Sequence, residues 1–188
     1  MPEIIAPLVV LSPLDESHLQ TLLEWRNSAD FLKYCTNRKK MVTLKEFEKE
    51  LRRDFSFDRH KQFVIFKKFG NEPIGTMYSY NFRPADGNVF VSTYLKPNVR
   101  SAVYGFESVA AFCLWLFDEY QTLHKIYMDV YEYNITSLSS LRKAGFFEEG
   151  RFKEHHMQDD KRWNMLRLAF YRVQLEKSKH LIKRVRPI

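Results

Sequence analysis

Two stretches of this chain combine residue types that suit anion binding and proton exchange. The first runs Tyr94-Leu95-Lys96-Pro97-Asn98-Val99-Arg100-Ser101-Ala102-Val103-Tyr104-Gly105. It joins an alternating strand pattern to the start of a long apolar helix, with one Arg in the loop and one Gly in the first turn. Backbone N–H groups at a helix start, aided by the helix dipole, form an anion site of a size that suits a pyrophosphate. A plain strand-to-helix turn has the same outline. The second stretch is Glu154-His155-His156, near the end of another strand pattern. An imidazole with a pKa of about 6.5 exchanges protons readily at neutral pH, as a general base must. Ordinary polar residues at a strand end look the same, and strand alternation allows at most one of the two histidines to face a given cleft. No metal site is expected, because adjacent histidines lack the i, i+4 spacing and no cysteine or third ligand clusters with them.

The elements that must position these groups follow from the apolar periodicity. Residues 8–11 form a first strand, and Asp15 then caps a helix carrying Leu19, Leu22, Leu23 and Arg26. Thr43 with Glu46 three residues on is a capping box, and Leu44, Phe47, Leu51 and Phe55 recur behind it at helical spacing. Strands over 62–68 and 73–80 make a hairpin about Phe69-Gly70-Asn71-Glu72, and Ala85-Asp86-Gly87 turns into a strand over 88–95. A long apolar helix over 104–120, a strand over 125–131, a helix over 135–144 ending at Gly145, and strands over 146–155 and 163–172 complete the chain. This order predicts a single α/β domain over 1–175, a mixed and mostly antiparallel seven-stranded sheet flanked by about four helices, followed by a basic tail over 176–188.

Composition narrows the function classes. The chain has 188 residues, 45% hydrophobic and 15% aromatic, enough for a sizeable core and unlike a disordered chain. The apolar run that includes 110–117 is far short of the roughly 20 residues of a membrane-spanning helix, and the opening residues lack the features of a signal peptide, so the chain reads as cytoplasmic with no membrane partner. Cys35 and Cys113 are the only cysteines and support no disulfide framework. The net charge of +7 is carried largely by the tail, where Lys177, Lys179, Lys183, Arg184 and Arg186 face one acid. That tail reads as a solvated end rather than a nucleic-acid arm.

The 94–105 stretch resembles the acetyl-CoA loop of the GNAT superfamily of N-acetyltransferases, in which a strand ends in a Pro, Arg and Gly run. Residues 123–134, then Ser137, Leu141, Ala144-Gly145-Phe146 and Glu149-Gly150, resemble that superfamily's second half. The early Glu24-Trp25-Arg26-Asn27 is similar to the branch of ribosomal-protein-alanine and amino-sugar acetyltransferases. The likeness runs in order over about residues 8–172.

The resemblance implies direct attack of a neutral amine on the acetyl thioester. A lysine-like amine with a pKa of about 10.4 is only about one part in several thousand neutral at pH 7, so a base or a proton-relaying water is required. It further implies an oxyanion held by a backbone N–H near Tyr94 and Leu95, a pyrophosphate on Arg100, Ser101, Ala102, Val103, Tyr104 and Gly105, and a pantetheine arm bonded by Asn134. Trp25, Arg26, Tyr78 and Tyr80 border the acceptor pocket by the same likeness, and the Glu154-His155 pair is similar to that of amino-sugar relatives.

Three positions depart from the family pattern. Val103 stands where the first loop glycine belongs, and a left-handed backbone there costs a β-branched residue about 1 to 2 kcal/mol. Leu141 replaces the Tyr that protonates the leaving thiolate, leaving Ser137, one turn earlier, to donate a hydrogen bond instead. Phe90 stands where many relatives place a base glutamate. In the ribosomal branch a carboxylate falls near His156, which makes His156 the replacement base. Three readings follow: an N-acetyltransferase of a small amine, with an amino sugar or antibiotic-like amine preferred; a protein N-terminal or lysine acetyltransferase; and a non-catalytic acyl-CoA-binding module. A homodimer is left open.

Overall fold

The computed structural model describes residues 1–36, 39–55, 61–99 and 102–177. Strands β1 (Ile4–Ile5) and β2 (Val9–Pro13) lead into a short 3-10 turn over Glu16–His18, and helices α1 (Leu19–Arg26), α2 (Ala29–Tyr34) and α3 (Leu44–Phe55) follow. Their starts are set by local hydrogen bonds. Asp15 accepts the Ser17 N–H at 2.8 Å, Ser28 accepts that of Phe31 at 3.2 Å, and the Thr43 and Glu46 side chains each accept the other's backbone N–H. Strands β3 (Lys61–Lys67), β4 (Pro73–Arg83) and β5 (Asn88–Leu95) then run antiparallel to one another. Helix α4 (Ala102–Glu119), strand β6 (Lys125–Tyr131), helix α5 (Ile135–Lys143), strands β7 (Phe147–Gln158) and β8 (Lys161–Tyr171), and helix α6 (Arg172–Lys177) complete the order.

The sheet has eight strands in the order β1-β2-β3-β4-β5-β6-β8-β7, rather than seven, and six helices rather than about four. The extra strand is β1, whose two residues pair with Val10 and Leu11 but are too few to show an alternation. The extra helices, α2 and α6, have six residues each, less than two turns, so no 3.6-residue period is established. The tail from 178 onward lies outside the described residues.

Each face of the sheet has its own core. Val109, Phe112, Leu116 and Phe117 of α4, with Leu138 and Leu141 of α5, pack on Val89, Val91, Ile126, Met128, Leu166 and Leu168. A second cluster joins Leu22 and Trp25 of α1, Phe31 of α2 and Phe47 and Leu51 of α3 to Val64 and Tyr94. Burial of one such large side chain contributes about 1.5–3 kcal/mol, so the two clusters fix the helices to opposite faces.

The feature that creates the site is the seam between β5 and β6. This parallel pair is joined at only three positions, Asn88 with Lys125, Val89 with Ile126 and Phe90 with Tyr127. Beyond it β5 stays paired to β4 as far as Leu95, and β6 to β8 as far as Tyr131. Two antiparallel half-sheets thus part from a short hinge.

Candidate active site

The opening between β5 and β6 is a cleft of about 1220 Å³ that reaches both faces of the sheet. On one face it is lined by Tyr34, Tyr78, Tyr80, Asp129, Tyr131 and Arg167. On the other, Gly105, Phe106 and Val109 of α4 meet Ser137 and Leu141 of α5 and its cap, Asn134.

Register settles which main-chain groups face this opening. The Lys96 N–H donates to the Ile74 carbonyl at 2.9 Å, and Tyr94 lies opposite Thr76. Antiparallel alternation therefore turns the Tyr94 amide toward β4 and the Leu95 amide toward the cleft. Of the two amides expected to face the thioester, Leu95's is the one so directed. The Tyr94 side chain belongs to the second core, its ring 5.3 Å from Phe31 and 6.0 Å from Trp25, with its hydroxyl 3.3 Å from the Ser28 hydroxyl. Gly75 permits the close packing of β4 on β5, because a Cβ there would lie 2.1 Å from the Tyr94 carbonyl oxygen.

The first turns of α4 lie over the end of β5, where a Cβ on Gly105 would meet the Leu95 side chain at 3.5 Å, an ordinary contact. Val103 sits within α4, is 54% exposed, and is not among the residues with positive φ. The strain expected from a β-branched residue at that position is therefore absent. Tyr104 is half-buried and its carbonyl accepts the Ser108 hydroxyl at 2.8 Å. Arg100 and Ser101 lie outside the described residues, and of Ala102 only its place at the start of α4 is described.

Asn134 caps α5, its Oδ1 accepting the Ser137 N–H at 3.3 Å. That bond uses the carbonyl end of the amide, so its NH₂ end is the one left to meet a ligand in the cleft. Ser137 is half-buried at the lining, and Leu141 one turn on is buried against the core.

The histidines overturn the alternation argument. The β7–β8 register slips between Phe152, opposite Met165, and His156, opposite Trp163, so β7 carries extra residues there. Glu154 takes φ 49 and its N–H donates to Asn164 Oδ1 at 2.9 Å, which fixes this bulge. The result is that both His155 and His156 line the cleft, His155 exposed and His156 buried. His156 stacks on Tyr131 with centroids 4.0 Å apart and 16° between planes, and among the described residues its Nε2 is buried with no hydrogen-bond partner. Burial, and then the charges of Lys39 and His155, hold its pKa below the usual 6.5, so the ring is neutral at neutral pH.

Trp25 and Arg26 are not part of the cleft lining. Trp25 is 9% exposed in the second core, and Arg26 is buried with Nε 3.6 Å from Glu50 and its guanidinium 5.7 Å from the Phe31 ring. An apolar ring and a guanidinium one residue apart on a short helix both turned inward, and the buried ion pair replaces the expected pocket role. Tyr78 and Tyr80 do line the cleft, their rings 5.8 Å apart. Burial, followed by Tyr78 and Asp129, raises the Tyr80 phenol well above its usual range, so it stays protonated and able to donate.

Sequence reasoning missed Tyr34, Cys35, Asp129, Tyr131 and Arg167 in this lining. The alternation of Tyr127, Asp129 and Tyr131 along β6 was the available signal, since an acid on the polar face of a central strand requires a partner. Cys35 lies against the Thr93 carbonyl, and burial pushes its thiol up to about 12, so it is no thiolate nucleophile. Next to this lining Tyr133 Oη donates to the Lys33 carbonyl at 2.7 Å, the Tyr34 and Tyr133 rings lie 5.8 Å apart, and Lys39 Nζ bonds Gln158 Oε1 of β7.

A split sheet with a through-cleft, a helix start over one strand end and a buried imidazole beyond it thus come together at one candidate site. The profile of the acetyltransferase (GNAT) domain matches residues 9–147, and the chain belongs to that family. It is thus an acyltransferase with acetyl-CoA as co-substrate. Solved structures share the fold at low identity. A spermidine N-acetyltransferase from Vibrio cholerae, in complex with CoA and spermine, superposes with a TM-score of 0.80 at 16% identity over 88% of this chain and 96% of that one. RimL, a ribosomal alpha-N-protein acetyltransferase in complex with coenzyme A, gives 0.78 at 16% over 90% and 98%. A GNAT-family acetyltransferase from Bacillus anthracis gives 0.73 at 17% over 90% and 98%. No curated protein matches the sequence. Among the described residues no helix is long and apolar enough to cross a membrane.

Proposed function

We infer that this enzyme moves the acetyl group of acetyl-CoA to a primary amine of a small molecule, with an amino sugar or antibiotic-like amine preferred to a protein N-terminus. The observation that carries this reading is the aromatic lining of the cleft, with Tyr34, Tyr78, Tyr80 and Tyr131 on one face and the Tyr78 and Tyr80 rings 5.8 Å apart. An aromatic wall of this kind supports a ring-bearing small amine as the acceptor. Faces of Tyr34, Tyr78 and Tyr80 suit the apolar face of a sugar or ring, and their hydroxyls suit its polar edge. Likeness to RimL supports a protein N-terminus as the second reading.

The division of work rests on the family likeness, with the lining in support. Residues at the start of α4 receive the pyrophosphate, the Asn134 NH₂ bonds the pantetheine arm, and the Leu95 amide receives the oxyanion. His156 Nε2, neutral and unpartnered, accepts the amine proton directly or through a water, while Ser137 donates to the leaving thiolate. An unpaired buried nitrogen costs about 1–3 kcal/mol, which an incoming donor would recover.

Thiol release from acetyl-CoA, measured over glucosamine, kanamycin, tyramine, spermidine and an alanine-initiated tetrapeptide, tests the reading. The expected result is the highest kcat/KM with a ring-bearing small amine. A preference for the tetrapeptide would favour the second reading, and no release with any amine would contradict both.

A further inference from the structure

We propose that Asp129 anchors the acceptor's ammonium group, with Arg167 as the residue that positions it. The inference rests on the acetyl-transfer reading above. Asp129 stands two residues beyond Tyr127, the last position at which β6 is joined to β5, and so on the same face and at the mouth of the opening. Across the β6–β8 ladder it is opposite Arg167, whose Nε and Nη2 each donate to one carboxylate oxygen at 2.8 Å. The guanidinium in turn lies over the rings of Phe90 at 4.6 Å, Phe152 at 5.1 Å and Tyr127 at 5.4 Å. Three ring contacts and a two-point bond leave the carboxylate little rotational freedom.

The chemistry of the cleft then points to what Asp129 holds. Each carboxylate oxygen has two acceptor positions, and Arg167 takes one on each, so one on each stays available. Among the described residues that line the cleft, Asp129 is the only carboxylate, and the walls around it are largely tyrosine. A primary amine with a pKa of about 10 arrives as an ammonium, and bringing that charge into an aromatic cleft is costly unless an anion meets it. His156 is neutral and Arg167 is positive, which leaves Asp129 to do so.

The test uses the panel amine with the highest kcat/KM and compares the wild-type enzyme with Asp129→Asn and with the double variant Asp129→Asn/Arg167→Gln. An anchoring role predicts that KM for the amine rises tenfold or more in Asp129→Asn and stays raised in the double variant, while KM for acetyl-CoA moves less than twofold in both. Thermal melting separates this from a structural role, because the double variant removes the uncompensated guanidinium and regains melting temperature without regaining amine affinity. If Asp129→Asn does not fold, the double variant alone carries the comparison. Recovery of amine KM to within twofold of wild type in the double variant, or an unchanged KM in Asp129→Asn, overturns the inference. A wild-type enzyme that releases no thiol with any amine overturns the acetyl-transfer reading instead, and the inference falls with it.

Discussion

On the α4 and α5 side of the cleft the lining comes from short local runs, Leu95 at the end of β5, Gly105 and Phe106 in α4, and Asn134 and Ser137 at the start of α5. On the opposite side it comes from side chains drawn from separate elements, Tyr34 at the end of α2, Tyr78 and Tyr80 on β4, Asp129 and Tyr131 on β6, His155 and His156 on β7, and Arg167 on β8. A site built from backbone over a short run tolerates many side chains, and its outline survives in the local sequence. A site built from five elements depends on strand register, so one bulge decides which side chains enter it. Under the proposed function the first side receives the cofactor in a manner common to the family, and the second is where this chain's specificity would reside.

Substitutions should divide along the same line. The largest effect is expected from His156→Ala, which removes the proposed base and should lower kcat about 10²- to 10⁴-fold with KM for acetyl-CoA nearly unchanged. Because the folded-state pKa of His156 is held below about 6.5, the wild-type rate should stay level through pH 6.5 and fall on the acid side of it, a limb the variant lacks. The stability linkage has the same sign. A depressed histidine pKa contributes stability that is present above about pH 6.5 and lost as pH falls, so urea melts should show wild type losing more stability than the variant on the acid side.

Arg26→Ala tests the boundary of the acceptor side. Its buried contacts with Glu50 and the Phe31 ring predict a loss of about 1–3 kcal/mol in denaturant unfolding, with KM for the amine unchanged. A raised KM with intact stability would return Arg26 to the pocket. Asn134→Ala should raise KM for acetyl-CoA several-fold and also remove the α5 cap, worth about 1 kcal/mol. The smallest effect is expected from Val103→Gly. As Val103 is helical and unstrained, acetyl-CoA affinity in calorimetry should move less than twofold, whereas a marked tightening would reinstate a strained loop.

The fold was largely readable because its signals are local. Capping by Thr43 and Glu46, the Gly70 and Gly87 turns and the helix end at Gly145 all coincide with the observed structure. β1, α2 and α6 were not readable, since two to six residues carry no period. Gly105, Asn134 and Ser137 line the cleft on the α4 and α5 side, and Tyr78, Tyr80 and His156 line it on the other. The errors share one cause. Placement of His155 beside His156 follows from a bulge at Glu154, inward rotation of Trp25 and Arg26 from packing of α1 on α3, and pairing of Asp129 with Arg167 from an antiparallel register between strands far apart in sequence. Each is a tertiary contact that alternation within one segment does not contain.

Under the proposed function one cleft through the sheet receives the cofactor on its α4 and α5 side and does its proton chemistry on the other. Calorimetric titration of acetyl-CoA into wild type, Asn134→Ala and His156→Ala tests it most directly. The account predicts binding to wild type, severalfold weaker binding to Asn134→Ala, and wild-type affinity in His156→Ala. No binding to wild type at about millimolar cofactor, or affinity lost with His156 and kept without Asn134, would contradict it.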